Sequence, residues 1–169
     1  MQKVVITGHD LTVDQIIAVC REGAEVVLSD ESREKILASR QVVNELVEVV
    51  YGITTGFGKF SDVVISQDEC KLLQKNLIIT HAVGAGDPFK EDIARGILLL
   101  RVNSLSNGFS GICLETVETM IAMLNKGVTP FIPEKGSLGA SGDLAPLSHM
   151  VLPMIGLGMA WYKGELLPG

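Results

Sequence analysis

The residues best suited to chemistry lie in one run, Gly136-Ser137-Leu138-Gly139-Ala140-Ser141-Gly142-Asp143-Leu144-Ala145-Pro146-Leu147. Ala140, Ser141 and Gly142 are small enough for their backbone atoms to approach closely. Gly142 has no Cβ, so its amide nitrogen can fold back onto the carbonyl carbon of Ala140. The hydroxyl of Ser141 can then leave as water, which gives a conjugated, electron-poor ring made from the chain itself. The same three residues also read as a flexible glycine-rich turn capped by Asp143. Other chemistry is excluded by spacing. Gly139-x-Ser141-x-Asp143 lacks the second glycine of a hydrolase elbow. His9, His81, His149 and the cysteines Cys20, Cys70 and Cys113 have no metal-ligand spacing.

Two further segments combine glycines with a reactive side chain. Tyr51-Gly52-Ile53-Thr54-Thr55-Gly56-Phe57-Gly58-Lys59 is a loop that follows a helical pattern. It fails as a phosphate cradle, because the third glycine is missing and no strand precedes it. On spacing alone Tyr51 reads equally as a residue packed on the end of the preceding helix. Thr80-His81-Ala82-Val83-Gly84-Ala85-Gly86 contains the one histidine in a glycine-rich setting. His81 reads as a helix C-cap favoured by the dipole, or as a partner for a polar ring. His149 is assigned a structural role.

These segments must be held by helices. Residues 3–7 and 25–29 are β-branched and read as short strands. A capping box, Thr12 with Gln15, opens a helix that ends near Gly23. Ser29 or Asp30 caps a long helix to about Val50, with Ile36, Val43, Leu46, Val47 and Val50 at helical spacing. Ser66 and Glu69 box a helix through about Val83. Pro88, Glu91 and Asp92 start another, running through Ile93, Ile97 and Leu100 to about Asn107-Gly108. Ser110 opens a helix closed by Gly127, with Met120 and Met123 as core filler. Asp143 begins the last helix, whose N-terminal partial charge favours electron density on a neighbouring ring. Lys163-Gly164 turns a hairpin. The fold class is mainly α with a few short strands.

The run from Gly136 to His149 resembles the signature of the aromatic amino-acid ammonia-lyases and aminomutases. The resemblance covers the whole chain. It implies that Ala140, Ser141 and Gly142 cyclise to a 4-methylidene-imidazol-5-one, with no diffusible cofactor. Residues 51–58 resemble the family's Tyr-Gly-Val-Asn-Thr-Gly-Phe-Gly, with Ile53 for Val and Thr54 for Asn. This implies that Tyr51 is the catalytic base or acid at the substrate Cβ. An ordinary tyrosine pKa of about 10 must fall for that role. Arg101 and Asn103 match a family stretch and read as supports of the glycine-rich loops. Thr80-His81-Ala82 resembles the Ser-His-Ala of histidine-specific members, so His81 is the expected substrate-binding contact for the imidazole of L-histidine. The implied products are trans-urocanate and ammonia, in histidine degradation.

The family's architecture is the fumarase/aspartase-like helical fold, assembled as a homotetramer whose neighbouring subunits complete the site. Its members are about three times as long as this chain. Residues 1–169 are therefore expected to be an incomplete N-terminal active-site-loop domain, inactive alone, with apolar faces that favour association. The alternatives are a lyase or aminomutase for another aromatic amino acid, or a non-catalytic assembly module that never cyclises.

Charge and composition limit the partners. A net charge of −6 argues against non-specific nucleic-acid binding. No run of about 18 apolar residues is present, so no membrane span is expected. The N-terminus lacks the apolar core of a signal peptide, and three widely spaced cysteines read as reduced thiols, so a cytoplasmic location is expected.

Overall fold

A computed structural model describes residues 2–46, 48–56, 59 and 63–169. Strand β1 (Lys3–Ile6) pairs in parallel with β2 (Glu25–Leu28), Lys3 opposite Glu25 and Ile6 opposite Leu28. Val4, Ile6, Val26 and Leu28 point inward, as a half-buried strand pair requires. The crossover is helix α1 (Val13–Glu22). It opens with the Thr12–Gln15 capping box and closes on Gly23 at φ 71°, both as the sequence predicts.

Helix α2 (Asp30–Asn44) starts from Ser29, whose hydroxyl accepts from the Ser32 N–H. It stops short of Val50. Val50 instead gives its N–H to Thr54 Oγ1 at 2.8 Å, and its carbonyl accepts from the amides of Ile53 and Thr54. A local threonine thus takes the backbone group that a longer helix would need. Of the expected apolar stripe, Ile36 is buried; Val47 lies outside the described residues.

Helix α3 (Gln67–His81) begins where Glu69 accepts from both the N–H and the hydroxyl of Ser66. The next element is not a helix start at Pro88 but strand β3 (Ala85–Pro88). Helix α4 (Glu91–Leu105) follows, with Lys90 as its N-cap. Its buried face is Ala94, Leu98, Leu99 and Val102; Ile93 and Leu100 are exposed. Residues 93–100 are apolar almost all round, so periodicity could not choose the face.

Helix α5 (Leu114–Lys126) begins at Cys113 rather than Ser110. The segment before it is tied to α2: the Gly111 N–H donates to Ser39 Oγ, and its carbonyl accepts from Arg40. Met120 and Met123 are buried as expected, and Gly127 closes the helix. Two side chains lock these layers. Arg95 donates to the carbonyls of Val19 and Leu124, in the last turns of α1 and α5. Asn125 exchanges two hydrogen bonds of 2.8 Å with the backbone of Val26, pairing a free edge of β2.

The chain then makes strands β4 (Thr129–Pro130) and β5 (Pro133–Lys135), helix α6 (Leu144–Val151), a 3₁₀ turn (Leu152–Ile155), and strands β6 (Met159–Tyr162) and β7 (Glu165–Pro168). Strand β6 lies between β4 and β7. Lys163 and Gly164 both take positive φ, the geometry of the expected tight hairpin. No helix of the described residues is long and apolar enough to cross a membrane.

Candidate functional site

The Ala140-Ser141-Gly142 loop joins β5 to α6. Strand β5 pairs antiparallel with β3, placing Ala85 opposite Lys135 and Pro88 opposite Pro133. This pairing, which the sequence did not reveal, brings the segment after His81 beside the segment before the tripeptide. Two glycines make the approach possible. A Cβ on Gly136, which has φ 129°, would stand 2.7 Å from the Cα of Gly84. A Cβ on Gly84 would stand 2.9 Å from His149 Nε2 and 3.0 Å from Pro133. The signal for it is Gly84 with Gly136, two small residues that flank the two motifs, one just after His81 and one just before the tripeptide.

Beyond Gly136 the loop faces solvent. Residues 134–144 are all exposed, and Leu138 is 98% exposed. Gly142 has φ 69°, in the region glycine enters without strain, and nothing lies within 4 Å of a Cβ built there or on Gly139. Ser137 Oγ donates to the Gly142 carbonyl, closing a small ring of chain around the tripeptide. These features fit the expected ring: the nucleophilic amide belongs to a glycine that can turn, and the serine is unobstructed. Asp143 occupies the N-cap of α6 but its side chain makes no cap bond. Pro146 falls in the first turn, where its missing N–H is not needed, and the first helical bond runs from Leu147 to Asp143 at 3.0 Å.

His81 ends α3. Its Nδ1 lies 2.8 Å from the carbonyl of Leu77, and Thr80 Oγ1 also donates to that carbonyl. A carbonyl only accepts, so Nδ1 carries the proton, and Nε2 of the neutral ring is an acceptor. His81 is half-buried, with Ala82 as the helix cap.

Tyr51 begins a tight turn and is 60% exposed. Thr54 Oγ1 ties that turn to Glu48 and Val50, a local role for the residue that departs from the family motif. Thr55 bridges Val64, while Phe57, Gly58 and residues 60–62 lie outside the described residues. Ile53 accepts from Cys70 Sγ at 3.6 Å, in the first turns of α3. His81 is eleven residues on, about 16 Å along the helix axis. The turn of Tyr51 and the ring of His81 are thus anchored at opposite ends of one helix. The tripeptide is anchored with His81 rather than with Tyr51.

Asn103 and Asn107 both donate to the Gly8 carbonyl, so they support an N-terminal turn rather than the motif loops. Arg101 lines a groove of about 570 Å³ between α3, α4, α5 and α6, with Lys71, Ile78, Met120 and Met154. Neither this groove nor those of about 260 and 820 Å³ is lined by Tyr51, His81 or residues 140–142. These three grooves are separate from Tyr51, His81 and the tripeptide. No cluster of three or more potential metal ligands occurs among the described residues.

The family model for aromatic amino acid lyases matches residues 11–169. The chain belongs to the aromatic amino acid lyase family. Its full length is 59% identical to the histidine ammonia-lyase of Caldanaerobacter subterraneus subsp. tengcongensis and 60% identical to that of Alkaliphilus oremlandii, and it spans 34% of each. Among solved structures, histidine ammonia-lyase from Trypanosoma cruzi superposes with a TM-score of 0.90 at 39% identity, over 99% of this chain and 33% of that one. Ergothionase from Treponema denticola superposes at 0.94 with 29% identity, over 99% and 34%. The fold is therefore that of the aromatic lyases and aminomutases, and the chain spans about a third of the relatives it matches.

Proposed function

We propose that this chain supplies the electrophile and the imidazole contact of an enzyme that eliminates ammonia from L-histidine to give trans-urocanate. The observation that carries this reading is the 59–60% identity to histidine ammonia-lyases along the entire chain. Residues 1–169 act as its active-site-loop domain. The fold alone does not choose the substrate, since phenylalanine aminomutase from Pantoea agglomerans superposes as well, with a TM-score of 0.90.

An amine is a poor leaving group and a β-proton is weakly acidic, so the reaction needs an electrophile and a base. The electrophile comes from the chain. The Gly142 nitrogen bonds to the Ala140 carbonyl carbon, and that oxygen departs as water with the amide protons of Gly142 and Ser141. The Ser141 hydroxyl leaves as a second water with the Ser141 α-proton. The methylidene-imidazolone supplies an electron-poor centre that makes the substrate amine easier to expel.

The remaining roles belong to side chains. Nε2 of His81 accepts the N–H of the substrate imidazole, an interaction available because Leu77 fixes the proton on Nδ1. Tyr51 takes the β-proton. The N-terminus of α6 favours charge building up beside it. Assembly of copies into a tetramer belongs to this reading through the family resemblance.

A chimera tests the substrate. Residues 1–169 replace the matching third of the Caldanaerobacter enzyme, and turnover of L-histidine, L-tyrosine and L-phenylalanine is compared. Histidine is the expected substrate. His81→Phe should lower kcat/KM for histidine about 10- to 100-fold, the effect of leaving one buried polar group unpaired. Equal turnover of phenylalanine and histidine, unchanged in His81→Phe, would overturn the assignment. The 169-residue chain alone is expected to release no urocanate, and measurable turnover by it would contradict that.

A further inference from the structure

We propose that His149 is a positioning residue: by accepting the backbone N–H of Gly84 on Nε2, it holds the segment after His81 in register with the tripeptide loop. The bond is 2.9 Å long and joins residues 65 positions apart. One partner lies three residues after His81. The other lies eight residues after Ser141, on the helix that the loop feeds into. The clamp stands on geometry alone; its bearing on L-histidine rests on the function proposed above.

The need for a clamp follows from the weakness of the neighbouring ribbon. β3 and β5 share two register pairs, with an irregularity between them. One of those pairs is Pro88 with Pro133, and neither proline has an N–H to give. Pairing starts at Ala85, so the Gly84 amide has no strand partner, and a half-buried N–H left unpaired is costly. His149 satisfies it. Gly84 admits the ring because a Cβ there would meet Nε2 at 2.9 Å.

An imidazole that accepts on Nε2 must carry its proton on Nδ1 and be uncharged. Burial disfavours the charged form and lowers the His149 pKa. The elements packed on α6 bring ionisable groups of both signs: Lys71, Lys75 and His81 from α3, Arg101 from α4, Glu134 and Lys135 from β5, with Asp143 at the start of α6 itself. Burial is the cause of the shift. His149 is thus a fixed acceptor at neutral pH.

Glutamine keeps an acceptor at comparable reach and leucine does not, so the two variants separate hydrogen bonding from packing. The readout is amide hydrogen exchange of Gly84 in the 169-residue chain at neutral pH. In His149→Leu exchange should rise about tenfold, the effect of losing one hydrogen bond, while Val26 in the core stays protected. In His149→Gln it should return to within about threefold of the parent. Unchanged Gly84 exchange in a folded His149→Leu would overturn the clamp. If His149→Leu unfolds, His149→Gln decides, and loss of Gly84 protection there overturns it. In the chimera, His149→Leu should raise KM for L-histidine several-fold, with rescue by His149→Gln. An unchanged KM overturns positioning even if the clamp exists. A parental chimera without histidine turnover instead counts against the lyase reading, and leaves the exchange result standing.

Discussion

Single residues divide into those that sequence explains and those that only contact explains. The capping boxes at Thr12 and Ser66 were readable because each partner lies three positions from the other. His149 was readable only as structural, since its partner Gly84 is distant in sequence. Its lowered pKa has a consequence for stability. The folded state binds the proton less well than the unfolded chain, whose histidine titrates near 6.5. The stabilising contribution is therefore complete above about pH 6.5 and declines as pH falls from there toward the folded pKa. Urea unfolding at pH 8 and at pH 5.5 should show this loss in the parent. His149→Gln, which does not titrate there, should lose less. An equal loss in both would show that His149 does not carry the acid sensitivity.

Elements were legible wherever a local signal set their limits. The strands β1 and β2, the hairpin at Lys163-Gly164 and the helix ends at Gly23 and Gly127 follow from β-branching and positive-φ glycines. Local signals mislead where a distant partner decides. Pro88 reads as a helix opener, yet it belongs to a strand because Pro133–Lys135 lies beside it. Gly111 is held by Ser39 and Arg40, which delays α5 to Leu114. The close contact of Gly84 and Gly136 predicts intolerance to side chains. Gly136→Ala meets both a positive φ and a backbone atom at 2.7 Å, and should cost about 2–4 kcal/mol. Gly139→Ala, with positive φ but open space, should cost about 1 kcal/mol. Chemical denaturation of both variants checks the order, and a reversal would contradict the packing of β3 on β5.

At the scale of the whole molecule, the chain carries the motifs of its family on a surface that is still open. The tripeptide loop is exposed, and none of the three grooves borders it. Ring closure forces the Gly142 amide onto the Ala140 carbonyl, a strained geometry that persists only when surrounding structure imposes it. Nothing within 4 Å of the Cβ positions of Gly139 and Gly142 supplies such pressure here. Sequence could identify the tripeptide from its neighbours, but compression is a property of packing. The remaining two thirds of the relatives' length are therefore expected to supply it. The 169-residue chain alone should keep its sequence mass.

The most direct test is the intact mass of the chimera in which residues 1–169 replace the matching third of the Caldanaerobacter enzyme, with the 136–147 peptide mapped. A mass two waters below the sequence value, located to Ala140-Ser141-Gly142, is the expected result. A folded, assembled chimera with an unmodified tripeptide would contradict the claim that this chain furnishes the electrophile.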